Sequence, residues 1–371
     1  MRKFEVQSLN KAKLIVLFLF LIGFGFSSNC AVADETTEHT AAEAQPKAFD
    51  AGKFVMEHVS DAFEWHIMTV GHTHVSIPLP IILYSESSGF HAFMSSKFHH
   101  GTEVYKNFRI EHEGPNEGKI VELNVAGEVI GLPWDFSITK VVVGIFISVI
   151  VILLLFINVA KAAKRNQGKA PKGMQNLIEP LVLFIRDEVA APAIGKERAG
   201  KFMPFLLTLF FFILINNILG LIPIPPFGAN VTGNIAVTLV LALFTFVITT
   251  FSGNKHYWKE IYNPDVPWWL KYPLPLMPIV ELTGVFTKPF VLMVRLFANM
   301  MAGHIIVTVF VSLIFIFTSL NGPAVGGGVS ILSVAFSVFI LLLDVLVSFI
   351  QAYVFTLLSA LYFGMATSEH H

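Results

Sequence analysis

The sequence predicts an all-α polytopic membrane protein with five membrane helices, preceded by a small β-containing extracytoplasmic domain. The last two helices are predicted to be long, strongly tilted and antiparallel. Three observations carry that reading. First, 54% of the 371 residues are hydrophobic and only 14% are charged, whereas soluble domains carry about a quarter charged residues. Second, apolar runs long enough to cross a bilayer begin after residue 137 and hold most of the 36 Phe. Third, the last two runs exceed what a single upright crossing needs. A net charge of −1 excludes binding to polyanions on electrostatic grounds, and a single cysteine excludes a disulfide framework or a thiolate metal cluster.

The chain opens like a secretory signal. Arg2, Lys3, Lys11 and Lys13 form a basic stretch, Leu14 to Phe26 an apolar core, and Ala31-Val32-Ala33 a small-x-small cleavage site. Cleavage after Ala33 is the expectation, giving a signal peptide over 1–33. The alternatives are an uncleaved anchor or a lipid-modified Cys30, for which Ser28-Asn29 makes a poor preceding motif.

Residues 34–137 hold 16 acidic and 6 basic residues and 9 of the 13 histidines. Following a signal peptide, this segment is expected outside the cytoplasm. Short strand-like stretches over Val75–Tyr84, Val104–Ile110 and Lys119–Val125, broken by Gly and Pro, predict a small β-containing domain. His72-Thr73-His74 and His99-His100 invite a metal reading, but without a second ligand pair at defined spacing a His-rich solvated surface is favoured.

The membrane domain is expected over 138–371, with spans at about 138–160, 202–222, 233–251, 276–320 and 329–366. Residues 161–201 carry nine Lys or Arg against four acidic residues, and Lys255, Lys259 and Lys271 mark a second basic loop. The positive-inside rule makes both loops cytoplasmic, in agreement with an exported N-terminal domain and a cytoplasmic C-terminus. Met174–Val189 reads as an amphipathic surface stretch. The run from Leu276 to Leu320 would span roughly 67 Å as one helix and that from Val329 to Ala366 roughly 57 Å, against a 30 Å core. Gly322-Pro323 and Gly326-Gly327-Gly328 are read as the connection between them.

Ionisable groups at membrane depth cost at least ~2.5 kcal/mol and usually mark function. Here they are Glu281, Lys288, Arg295 and His304 on the first long helix and Asp344 on the second. With a step of about 100° per residue, Glu281, Lys288, Arg295 and Asn299 share one stripe, whereas His304 lies about 140° from Glu281. Asp344 and Gln351, seven apart, also share a face. Glu281 and Lys288 near the helix start are also compatible with snorkelling. Arg295 is a permanent cation in a low-dielectric setting, suited to attracting a mobile anion. His304 and Asp344 are groups whose protonation changes readily, unless they form a merely structural pair.

The run Arg295-Leu296-Phe297-Ala298-Asn299-Met300-Met301-Ala302-Gly303-His304 resembles the signature of subunit a of the F-type ATP synthase, as does Gln351-Ala352-Tyr353-Val354-Phe355-Thr356-Leu357-Leu358. The resemblance extends over roughly 138–366 and implies two tilted helices against a rotating ring of c subunits. It implies that Arg295 attracts the deprotonated carboxylate of each passing c subunit and blocks a proton short circuit between two half-channels. It further implies that Asn299 and Gln351 accompany Arg295, that Glu281 lies near the cytoplasmic exit, and that Lys288 is a less critical cation. His304 and Asp344 fall where many bacterial members carry Glu and His, an apparent exchange that implies a meeting across the helix interface. Asn217, Gly220 and Asn234 resemble polar positions of the outer access route. Ala298 replaces the family's usual glycine, and the outer domain has no counterpart in shorter members.

The implied protein is a non-catalytic stator subunit of a bacterial inner membrane. Its partners would be the c-ring, the b subunits of a peripheral stalk and the lipid bilayer, with no cofactor, metal, nucleic acid or small-molecule substrate other than protons. A stand-alone ion-coupled transporter is the alternative, weakened by the lack of an internal repeat. An intramembrane protease is the enzyme alternative, disfavoured by the lack of HExxH, a GxSG serine or a pair of membrane aspartates. Protons rather than sodium are expected because Arg295, His304 and Asp344 offer titratable steps and no evident oxygen cage.

Overall fold

The computed structural model describes residues 52, 60–70, 73–99, 101, 103–111, 114–124, 126–166, 169–222, 227–262 and 276–368. The signal segment, Cys30, His72, His100 and Lys271 lie outside them. The described residues divide into two compact units, one over Ala62–Lys140 and one from Val141 onward.

The first unit contains eight short strands: β1 (Glu64–Val70), β2 (Thr73–Pro78), β3 (Pro80–Ser85), β4 (Gly89–Met94), β5 (Phe108–Ile110), β6 (Ile120–Leu123), β7 (Val129–Gly131) and β8 (Trp134–Asp135). They pair antiparallel in three sheets, β1-β2, β4-β3-β8 and β5-β6-β7. Ile81, Leu83, Phe98, Phe108 and Ile120 form the core, with Phe93 and Tyr105 in edge contact beside it.

Two expected strands differ from those observed. Val75–Tyr84 is broken at Leu79, because Pro78 and Pro80 on either side lack the N–H that a ladder needs. Leu79 instead exchanges bonds with Ser95, donating to its Oγ and accepting from its N–H. Val104–Ile110 is mostly a turn: Lys106 and Asn107 both take positive φ, so only Phe108–Ile110 extends. Strands β1, β4, β7 and β8 were not anticipated.

The second unit is helical: α1 (Lys140–Arg165), α2 (Met174–Phe184), α3 (Ala191–Ile194), α4 (Ala199–Gly220), α5 (Ile235–Ser252), α6 (Lys255–Tyr262), α7 (Leu276–Asn321) and α8 (Pro323–Thr367). Five of them, α1, α4, α5, α7 and α8, are long and apolar enough to cross a membrane. The expected amphipathic stretch is α2 followed by a π-helical turn over Ile185–Ala190 that carries the chain into α3. This arm packs against α8, with the Phe184 and Tyr353 rings 5.5 Å apart.

At 46 and 45 residues, α7 and α8 are each roughly 68 Å long. Their connection is tighter than expected. Gly322 alone turns the chain, at φ +85°, and Gly326, Gly327 and Gly328 lie within α8 rather than in a loop. Proline at the first helical position explains the difference: its missing N–H is one the helix start would leave unpaired anyway, so α8 begins at once.

Candidate functional site

The polar residues predicted along α7 fall into three places. Glu281 and Lys288 are half-buried near its start. A cleft there is lined by Phe246, Thr249, Tyr257, Val285, Lys288 and Tyr362, and the Lys288 Nζ stands 5.9 Å from the Tyr362 ring centre. On α6, burial and the Glu281 carboxylate push the Tyr257 hydroxyl above the ordinary phenol range.

Arg295 comes about 21 Å further along the helix axis than Glu281. Its side chain is exposed on the outer face of α7 beside the exposed Val291 and Val294, and Asn299, one turn on, is exposed too. Among the described residues Arg295 makes no salt bridge. The opposite face of the same stretch carries the buried Leu292, Leu296 and Met300. A permanent charge thus stands on an exposed face of the helix, within electrostatic reach of Tyr362 on α8.

The third place gathers α4, α7, α8 and the segment before α5. The Asp344 carboxylate of α8 lies against α7 at Gly303, where an added Cβ would fall 2.7 Å from Oδ1. Only glycine admits the acid that close. The next residue, His304, directs Nε2 towards α4, 3.7 Å from where a Cβ on Gly220 would stand. Asn217, fully buried on α4, accepts a bond from the Thr232 hydroxyl. Asn216 donates to the Phe212 carbonyl, and Asn230 accepts from the Gly233 N–H. Asn216 Oδ1, Asn217 Nδ2, Asn230 Nδ2 and Asp344 Oδ2 are buried without a hydrogen-bond partner among the described residues. Buried polar atoms are normally satisfied, so this concentration sets the region apart from the rest of the helical unit.

Gln351 is buried on α8, two turns after Asp344. Asn234 has a structural task of its own, capping α5 by accepting from the Ala236 N–H at 2.9 Å. Sequence reasoning passed over Asn216, Asn230, Thr232, Tyr257 and Tyr362. The first three carried a signal, being polar side chains in or beside an uncharged stretch between two apolar spans. In the β unit, His99 is exposed and 3.7 Å from Glu103. Among the described residues no three His, Cys, Asp or Glu side chains are grouped to hold a metal.

These features define a polytopic α-helical membrane protein, built around a two-helix hairpin with ionisable groups at membrane depth. Residues 142–364 match the ATP synthase A chain family, and the chain belongs to it: subunit a of F-type ATP synthases, a multi-pass component of the membrane sector. It is 44% identical over 268 residues to ATP synthase subunit a 2 of Chlorobaculum tepidum, covering 72% of each chain. It is 45% identical over 245 residues to ATP synthase subunit a of Myxococcus xanthus, covering 64% of this chain and 75% of that one. Subunit a of an Anaeromyxobacter species is 35% identical over 347 residues, covering 91% of this chain and 76% of the relative. Residues 54–136 match a separate domain of unknown function, DUF8433.

Proposed function

We propose that the chain carries protons through two offset half-channels beside a ring of c subunits, with Arg295 as the barrier between them. The observation that carries this reading is the exposure of Arg295 on the outer face of α7, between two separate polar regions of the same helix. A fixed guanidinium there attracts a ring carboxylate that has lost its proton and repels a proton passing straight through. The polar region of Asn217, His304 and Asp344 serves as the outer half-channel, where His304 and Asp344 relay protons to the ring. The cleft beside Glu281 and Lys288 serves as the inner half-channel. Asn299 and Gln351 keep the arginine in place. No covalent bond is made or broken by this chain, and rotation of the ring couples the flow to synthesis elsewhere in the complex.

In this reading the inner half-channel and the C-terminus face the cytoplasm across a bacterial inner membrane, with the β unit in the periplasm; the basic segments 161–201 and 255–271 support that orientation. The arm α2–α3, on that same side, offers the b subunits a docking surface.

ATP-driven acidification of inverted vesicles tests the proposal. Arg295→Ala in an assembled complex is expected to abolish pumping and, once the catalytic head is stripped, to leak protons passively. Normal pumping by that variant would overturn the assignment in favour of an ion-coupled transporter.

A further inference from the structure

The sheet β4-β3-β8 is apolar on both faces. Ile81 and Leu83 of β3 point into the core. On the other face Phe90, Tyr84 and Trp134 stand in one cross-strand row, Tyr84 pairing with Phe90 on one side and with Trp134 on the other. Their exposures are 67%, 48% and 54%. The segment leading out of the sheet inverts the usual pattern. Leu132, Trp134 and Phe136 face outward and are exposed, while Ser137 and Thr139 are buried and Asp135 is half-buried. A sheet edge bathed in water would alternate the other way.

Two further observations say what medium the face meets. The segment stays bonded to β3 beyond β8, Phe136 N–H to Ile82 O at 2.9 Å and Ile138 N–H to Pro80 O at 3.0 Å, and the first membrane helix starts at Lys140. Trp134 is therefore within about 20 Å of the start of a span even if the chain is fully extended. Tyr and Trp are the side chains that collect at the boundary between lipid and water. The surrounding segment is strongly acidic, 16 acidic against 6 basic residues over 34–137, so attraction to anionic headgroups is not the driving force.

We propose that the row Phe90–Tyr84–Trp134, extended by Phe136, is a lipid-contacting face that seats the β unit on the interfacial layer of the bilayer through apolar burial. The test uses the full chain reconstituted in bilayers of zwitterionic lipid, with Cys30→Ser to remove the native thiol. Nitroxide labels are placed at Phe90→Cys and Trp134→Cys, with Glu117→Cys, on an exposed polar turn, as reference. Collision with oxygen, which concentrates in lipid, is expected to exceed collision with an aqueous nickel chelate several-fold more at the first two sites than at the third. Equal accessibility to nickel at all three sites would overturn the proposal. Protection of the first two from both reagents would also overturn it, showing the face covered by protein. If the labels unfold the unit, quenching by brominated lipid decides: native protein should lose a quenchable component on Trp134→Phe, and an unchanged profile refutes the contact.

Discussion

At the scale of single residues, Gly303 is a constrained position, because the Asp344 carboxylate occupies the space a side chain would need. Gly303→Ala should push α7 and α8 apart locally, at a cost of about 1–3 kcal/mol for overpacking. The expected outcome is an assembled complex that dissociates at lower temperature and pumps several-fold more slowly, read from heat tolerance and ATP-driven acidification of vesicles. Wild-type behaviour would mean that the acid moves aside freely. The sequence made Asp344 conspicuous, since a carboxylate in an apolar run carries its own penalty wherever it points. What the sequence did not reveal was its neighbour. The contact partner of a side chain on a tilted helix depends on crossing angle and axial register, which no periodicity within one helix encodes. For the same reason the approach of His304 Nε2 to Gly220, on another helix, was not legible.

At the scale of elements, β6 is tied to the β3–β4 turn by Glu122. The hydroxyls of Ser85, Ser87 and Ser88 all donate to its carboxylate, and the residue is buried. Burial by itself would raise its pKa, but the serine hydroxyls and the charge on His91 outweigh it and hold the carboxyl below its ordinary range. A depressed carboxylate stabilises the fold above its unfolded pKa, about 4.3, and that contribution disappears as the pH falls through the folded value. Hydrogen exchange of Ile120–Leu123, corrected for intrinsic rates, should therefore show protection steady near neutrality and falling below that range. Ser85→Ala should cost about 1–3 kcal/mol at neutral pH and flatten the acid dependence. The β elements were only partly legible, because strands here are two to seven residues long and set by local proline and left-handed positions. Unlike the short α3 and α6, the five long helices were legible, since hydrocarbon demands long uninterrupted runs. Only their ends moved, most visibly where a proline let α8 start six residues early.

At the scale of the whole molecule, charge and apolarity are sorted along the chain rather than mixed. The basic residues cluster over 161–201 and 255–271, while residues 34–137 are acidic. A cysteine introduced at Lys164 should react with a membrane-impermeant maleimide only in inverted vesicles, and one at Glu117 only in right-side-out cells. Labelling of both from one side would refute the orientation.

The single-residue connection at Gly322 has a consequence for how this architecture can vary. A loop of several residues lets two helices drift in axial position without altering what faces what. Here one added residue would turn α8 by about 100° about its axis and displace it by about 1.5 Å, carrying Asp344 off Gly303 along with every polar group after it. The junction therefore acts as a phase mark, and changes of length between α7 and α8 must arrive in whole turns, because the far end of α8 is itself held by Asn254, which bonds the Ala366 and Thr367 carbonyls.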